Sequence, residues 1–303
     1  LPTFNKAIDD RYNKKYWFDI KDKPDVIIFE GWCVGAKSEK NNTLTILESK
    51  ASNNLPISVI IPCYNCHKTI KRSIKSILRQ TKKPSEVIII DDCSNNKTRE
   101  LLHKLQEEYK ELQIKIIELE KNLGVASARN AGINASIYKY LAFLDADDIW
   151  LFDKIEKQYD WMVQNPNVLM TGCVYALNND KNFYGGYIKG ELRTVKVGKI
   201  AQLISNRFST SSVMCKNKPE IIFQHGKRHS EDYLLWLELI FDKNLVFQIK
   251  NTLSYHSKPP YGSGGLSGDL LAMEKGELHT YKQLFIQGRI YMPAYAILHI
   301  YSY

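Results

Sequence analysis

Tyr140-Leu-Ala-Phe-Leu-Asp145-Ala146-Asp147-Asp148 is an apolar run that ends directly in a group of acids. Such a run reads as a strand buried on both faces that delivers carboxylates at its C-terminal end. In open α/β sheets, ligands bind in the crevice outside those strand ends. Clustered carboxylates repel one another and need a proton or a cation. Hard divalent ions such as Mg²⁺ or Mn²⁺ take oxygen ligands, typically one or two carboxylates plus substrate phosphates. The competing reading is an acidic cap, with Asp147 or Asp148 opening a helix at Trp150.

The residues before this run alternate strand and helix. Ile57-Ser-Val-Ile-Ile61 is a buried strand that Pro62 is expected to stop. Ile70, Ile74, Ile77 and Leu78 mark one face of an amphipathic helix, broken by Lys82-Lys-Pro84. Glu86-Val-Ile-Ile-Ile90 is the next strand and ends at Asp91-Asp92. Leu101, Leu102, Leu105 and Tyr109 mark a second helix, and Ile114-Lys-Ile-Ile-Glu-Leu119 a third strand. The Ala-rich segment 124–136 predicts a helix slim enough to lie close to the sheet. This βαβα order argues for an α/β fold with a mostly parallel sheet covered on both faces. Farther on, the pattern predicts a helix over 151–164, a strand over 168–177, a helix over 231–241 and a helical segment over 273–303 kinked by Pro293. Residues 184–190 and 259–265, rich in Gly, are expected to be loops.

The totals narrow the class. The chain has 303 residues, 44% hydrophobic and 25% charged, which is a globular composition. No apolar stretch approaches the ~20 residues that span a bilayer, and no signal peptide pattern is present. The net charge of +9 permits attraction to anionic lipid or phosphorylated substrates. With no compact Arg-rich tract or nucleic-acid motif, nucleic acid is not an expected partner. The six cysteines are scattered, which points to a reduced cytosol. Cys63-Tyr-Asn-Cys66 has the C-x-x-C spacing of a redox pair, but no second pair suits zinc, and a redox or metal role is not expected.

Residues 1–48 differ from the rest of the chain. Asp25-Val-Ile-Ile-Phe-Glu30-Gly-Trp-Cys-Val-Gly35 predicts a strand ending in an acid. With Leu1-Pro-Thr-Phe-Asn-Lys-Ala-Ile-Asp9-Asp10-Arg11 it resembles the later part of P-loop kinases of the glycerate-kinase and uridine-kinase type. No G-x-x-x-x-G-K-[ST] occurs, so the phosphate cradle is missing and kinase activity is not expected. Residues 49–55 would form a linker, 56–272 the main domain and 273–303 a helical C-terminal segment. A first residue other than Met and an end without a helix breaker suggest a piece of a longer protein.

Four features fall at the same end of one sheet: Pro62-Cys-Tyr64-Asn65, Asp91-Asp92-Cys-Ser94, Asn122-Leu-Gly124-Val-Ala-Ser-Ala-Arg129-Asn130-Ala-Gly132, and Asp145-Ala146-Asp147-Asp148. In this order they resemble a family 2 glycosyltransferase of the GT-A fold over roughly residues 56–270. The resemblance implies a metal-dependent, inverting transferase that moves a sugar from a nucleotide-sugar, expected to be UDP-linked, to a glycan or lipid-linked glycan in bacterial surface polysaccharide synthesis. It implies that Pro62, Tyr64, Asn65, Asp92, Arg129, Asp145, Ala146 and His256 hold the donor. Tyr64 would stack on the base, Asp92 would read it, Asp91 would organise the loop, and Arg129 would face the diphosphate. Asp147, with Asp145 beside it, would hold Mn²⁺ or Mg²⁺. His229-Ser-Glu231-Asp232-Tyr-Leu-Leu-Trp236 resembles the family's E-D motif, with Asp232 in the position of the base. Glu231 and Trp236 would lie on the acceptor side, or Trp236 in the core. Tyr255-His256-Ser257 and Gly264-Gly-Leu266-Ser267 resemble the family's late flexible segment. The implied setting is cytoplasmic, with peripheral contact to the membrane's inner face. The rival readings are a sugar nucleotidyltransferase and a non-catalytic sugar-nucleotide-binding module.

Overall fold

The computed structural model describes residues 54–177, 186–188, 190–258 and 268–301, together with four short strands nearer the N-terminus. The chain forms two compact units, Leu1–Asn53 and Asn54–Tyr303. In the first, β1 (Phe4–Asn5) pairs antiparallel with β2 (Asp10–Arg11), and β3 (Val34–Ser38) with β4 (Leu44–Glu48). The strand expected over 25–35 lies almost wholly outside the described residues. So do the expected loop at 259–265 and residues 184, 185 and 189 of that at 184–190.

The second unit begins with β5 (Leu55–Cys63), α1 (Ile70–Leu78), β6 (Pro84–Asp91), α2 (Asn96–Glu108), β7 (Ile114–Glu118), α3 (Val125–Ala135) and β8 (Tyr140–Phe143). Strands β8, β5, β6 and β7 lie side by side in parallel. Alternation sends Ile57, Val59, Ile61, Val87 and Ile89 to one face, against Ile70, Ile74 and Ile77 of α1 and Leu102 and Leu105 of α2. It sends Ile60, Ile88 and Ile90 to the other face, against Ala126 and Ala128 of α3. Both faces are covered, which is why these strands read as unbroken apolar runs.

Gly132 lets α3 lie close to the sheet. A Cβ there would sit 2.6 Å from Ile60 and 2.7 Å from Ile90. Pro62 does not stop β5, which runs on to Cys63. The last residue of β5 that pairs with β8 is Ile60, so Pro62 lies beyond that ladder and its missing N–H breaks no bond on that side.

The rest of the unit is β9 (Ile149–Trp150), α4 (Lys154–Gln164), β10 (Val168–Leu177), β11 (Thr194–Lys196), α5 (Lys199–Ile204), β12 (Met214–Lys216), α6 (Glu231–Phe241), β13 (Leu245–His256), α7 (Leu270–Ile286) and α8 (Met292–Tyr301). The sheet continues past β8 through β12, β10, β13 and β11. Here it is mixed: β12 is antiparallel to both neighbours, while β10 and β13 are parallel. Helix α6 is buried on two sides. Leu235, Trp236 and Leu239 face the sheet. Tyr233, Leu234 and Leu237 meet Tyr281 and Leu284 of α7 and Ile290. The expected boundary at 272/273 falls inside α7, and the break before the last helix precedes Pro293. That proline stands in the first turn of α8, where a missing N–H is tolerated.

Candidate active site

Parallel pairing places the ends of β5, β6 and β8 on one edge of the sheet, and the sequence motifs gather there. After β5 the chain bends at Asn65, whose φ of 50° lies in the left-handed region that Asn tolerates better than most residues. The bend is held on both sides. Asn65 N donates to Ser94 Oγ (2.9 Å), and Asn65 Oδ1 accepts from Asn95 N (2.9 Å). Cys63 and Cys66 are joined by a disulfide, their Cα atoms 5.8 Å apart. This corrects the expectation of free thiols: the left-handed step folds the turn so that both sulfurs meet. Tyr64, between them, is 56% exposed and presents its ring to solvent.

The two acids after β6 are both engaged with the chain. Asp91 accepts from Ser94 N (3.2 Å) and from Arg99 Nε (3.0 Å). Asp92 accepts from Leu123 N (2.7 Å) and Gly124 N (2.9 Å), placing its charge at the start of α3. Asp92 thus holds the loop before α3, with its remaining lone pairs left for a ligand.

Arg129 is also placed differently from expectation. Its Nη2 donates to Asp145 Oδ1 (2.8 Å) and its Nη1 to Glu231 Oε1 (2.6 Å). The guanidinium also lies 5.3 Å from the centre of the Phe223 ring. The side chain is 4% exposed, so it is a bridge between carboxylates rather than an open phosphate receptor. The cause is local: residues 129 and 132 are neighbours on one helix face, and Gly132 draws that face onto the sheet. Burial opposes the Arg129 charge, but Asp145 and then Glu231 outweigh it and raise its pKa.

Ala146 is buried and offers no side chain to a ligand. Asp147 Oδ2 pairs with Lys258 Nζ at 3.1 Å, and its carbonyl accepts from Arg72 Nη2 and Ser257 Oγ. Neither Asp147 nor Asp148 caps a helix, since α4 starts only at Lys154. Asp148 Oδ2 accepts from Ser211 Oγ (2.6 Å) and lies 3.4 Å from His256 Nε2. Burial, with the charges of Asp145 and Asp147, pushes Asp148 well above the ordinary carboxylate range. His256 stacks on Tyr175 at 3.9 Å, with Nε2 3.1 Å from Ser209 Oγ. Burial pulls its pKa down to about 4, so the ring is neutral near pH 7.

Asp232 sits in the first turn of α6. It accepts from Thr210 Oγ1 (3.1 Å) and from Tyr233 N (2.7 Å). Burial raises its pKa against the opposing pull of Arg129. Burial pushes Glu231 up to about 7, again against Arg129, with Asp232 adding repulsion. Trp236 is fully buried between Phe143 and Phe223, one turn along the face of α6 that meets the sheet. It belongs to the core, the second of its two expected places, and does not line the cavity.

Arg129, Asp145, Asp147, Asp148, Asp232 and His256 line one cavity of about 600 Å³. Pro62, Tyr64, Asn65 and Asp92 lie at the neighbouring strand ends, outside that lining. Among the described residues, no three His, Cys, Asp or Glu side chains are grouped to hold a metal ion. The donor set still suits one. Asp145 and Asp147 are hard oxygen ligands, each about a third exposed, and Asp147 already contacts a cationic ammonium. Two carboxylates and no more is the pattern of an ion that shares its coordination with substrate phosphates.

Sequence reasoning missed Thr210 and Ser211, which orient Asp232 and Asp148, and Lys258. It also missed the part of the wall supplied by α7 through Met273, Glu277 and Tyr281. A signal existed for the first pair: Ser209-Thr-Ser-Ser212 is a run of hydroxyls of the kind that bond to nearby polar groups.

Comparison with known proteins agrees with this geometry. Residues 58–226 match the model of glycosyl transferase family 2. A UDP-Glc:alpha-D-GlcNAc-diphosphoundecaprenol beta-1,3-glucosyltransferase, WfgD of Escherichia coli, is 32% identical over 190 residues, covering 62% of this chain and 71% of that protein. The putative teichuronic acid biosynthesis glycosyltransferase TuaG of Bacillus subtilis is 42% identical over 108 residues, 36% of this chain and 42% of its own. Among solved structures, the mannosyltransferase PcManGT from Pyrobaculum calidifontis, in complex with GDP-Man and Mn²⁺, has a TM-score of 0.61 at 17% identity. That match covers 82% of this chain and 70% of the mannosyltransferase, and it shows a shared GT-A fold. The matched segment contains the strand-end carboxylates, the disulfide turn and Arg129, and on this ground the chain belongs to glycosyl transferase family 2.

Proposed function

We propose that this glycosyltransferase moves a sugar from a UDP-sugar to a hydroxyl of a lipid-linked or polysaccharide acceptor, inverting the anomeric carbon, with Asp232 as the base. One observation carries the reading: the Asp232 carboxylate opens into the same cavity as Asp145 and Asp147. The reaction needs those two kinds of group together, one to take a proton and one to manage a diphosphate. The relatives supply the substrate class, since WfgD is named for UDP-glucose and a diphosphoundecaprenol acceptor.

Asp232, oriented by Thr210 and the Tyr233 N–H, takes the proton of the acceptor hydroxyl as that oxygen bonds to the anomeric carbon. The bond from that carbon to the β-phosphate oxygen breaks, and UDP leaves with the electron pair. Asp147, with Asp145 beside it, would hold Mn²⁺ or Mg²⁺. When bound, the ion neutralises diphosphate charge. Arg129 keeps Asp145 and Glu231 apart and in place. Tyr64 stacks on the base, and the free lone pairs of Asp92 remain for its polar edge. His256 stays neutral and serves as a hydrogen-bonding group rather than a charge. Among the described residues no helix is long and apolar enough to cross a membrane. The proposed site of action is the cytoplasmic membrane surface, reached peripherally.

The test is UDP release from a panel of UDP-sugars with Mn²⁺, comparing the wild-type chain with Asp147→Ala. Slow hydrolysis of one donor, abolished by the substitution or by EDTA, supports donor, metal and reaction together. Failure to release UDP, combined with no Mn²⁺-dependent UDP binding in calorimetry, rejects the reading.

A further inference from the structure

The cavity does not end at Asp232. It continues between the end of α5, where Ile204, Ser205 and Asn206 line it, and α7, where Met273, Glu277 and Tyr281 do. Its lining there mixes polar residues, Asn206, Thr210 and Glu277, with the apolar Ile204 and Met273. Ile204 is 65% exposed, and Ile200, one turn earlier on the same face of α5, is 74% exposed. On α7, Leu270 precedes Met273 by three residues and so extends the lining stripe 273–277–281 outward. Leu270 is 57% exposed and the adjacent Leu271 68%.

Single exposed aliphatics are ordinary on a protein surface. A group of them on two elements that flank one mouth marks a binding surface. The occupant follows from continuity with the reacting groups. Whatever places a hydroxyl at Asp232 shares a cavity with Ile204 and Met273, and the exposed Ile200 and Leu270 continue those two helix faces. A free oligosaccharide has no use for these aliphatic side chains, whereas a sugar attached to a hydrocarbon matches both kinds of group.

We propose that the rim formed by Ile200 and Ile204 of α5 and Leu270, Leu271 and Met273 of α7 binds the hydrocarbon chain of a lipid-linked acceptor. This rests on the transferase reading above and adds the residues that select the acceptor by its lipid. They are specificity-determining residues and take no part in the chemistry.

The experiment is calorimetric titration with farnesyl diphosphate and, separately, inorganic diphosphate, in saturating UDP and Mn²⁺ so that the donor's diphosphate position is filled. Burial of several methylenes predicts that farnesyl diphosphate binds at least about tenfold tighter than inorganic diphosphate. In Ile204→Ser/Leu270→Ser that advantage falls to within about twofold, while UDP affinity and melting temperature are unchanged. Both changes are at exposed positions, so folding is not at stake. Equal affinity for the two diphosphates in the wild-type chain overturns the proposal, as does a variant that keeps the preference. The donor reading fails separately: if UDP itself does not bind, the prenyl preference is still measurable and still decides the rim.

Discussion

Two edges of the sheet end hold their acids by different means. After β6, Asp92 is held by the backbone N–H groups of Leu123 and Gly124, and Asp91 by Ser94 N and the neighbouring Arg99 side chain. After β8 and at the start of α6, the acids are held by side chains far away in sequence. Arg129 ties Asp145 to Glu231, Thr210 holds Asp232 and Ser211 holds Asp148. Backbone donors are fixed once the loop forms. Side-chain donors depend on the whole unit being packed. Both edges are tertiary, since Asp92 reaches donors 31 and 32 residues away, but the edge after β6 relies on backbone N–H groups and the edge after β8 on packed side chains. Burial displaces the pKa values of Asp148, Glu231, Asp232 and His256 on the second edge.

That contrast can be broken at several points. Asp232→Asn keeps the shape but removes the base, so kcat falls about 10²- to 10⁴-fold while donor affinity measured by calorimetry is retained. An equal loss of binding would make Asp232 a structural group. Arg129→Met leaves Glu231 and Asp145 without their shared cation, at a cost of about 3–5 kcal/mol in denaturant unfolding. Adding Glu231→Gln should recover part of that loss, and no recovery would mean the bridge is not what matters. Gly132→Ala presses a methyl group into Ile60 and Ile90 and should cost about 1–3 kcal/mol. Asp92→Asn, on the backbone-held edge, should cost about 1 kcal/mol, through one backbone N–H left facing an amide. If Asp92→Asn proved as damaging as Arg129→Met, the two edges would not differ as described.

The titrations sharpen the same contrast. Asp232 must be ionised to accept a proton, and burial raises the pKa of both it and Glu231. The acid limb of kcat/KM should therefore lie above the ordinary carboxylate range and report the pair together. Stability carries two opposed contributions. His256, lowered from 6.5 to about 4, stabilises the fold above about pH 6.5, and this is lost as pH falls toward 4. Glu231, raised from 4.5 to about 7, contributes below about pH 4.5, and this is lost as pH rises through 7. His256→Phe should flatten the acid-side fall in melting temperature. An unchanged slope would show that His256 is not the group responsible.

The parallel half of the sheet was legible because its strands are buried on both faces and its helices carry clean apolar stripes. Residues 57–61, 86–90 and 114–118 need no distant partner to be recognised. The later half was less so. Strand β13 mixes Gln248, Lys250, Asn251 and Thr252 with its apolar residues, and its place in the sheet comes from pairing with β10. The site divides in the same way. Asp145, Asp147 and Asp232, singled out by their resemblance to family motifs, fall in one cavity. The reversal of Arg129 from phosphate receptor to carboxylate bridge depends on the distance between α3 and the sheet, which residue spacing alone does not report. The loop-holding part of Asp92 was not legible for a related reason, since its partners lie 31 and 32 residues away on a loop whose path had to be seen.

Arg129 joins a residue 16 positions away to one 102 positions away. One cation thus balances the strand end proposed to meet the departing diphosphate and the helix turn proposed to carry the base. Substitutions at Asp145 and Glu231 will consequently not combine by simple addition. A double-mutant cycle between them should return an interaction energy of about 0.5–3 kcal/mol although no bond joins the pair directly. Evolution of a new donor preference on one side would have to be reconciled with the acceptor chemistry on the other, because the two share a counterion.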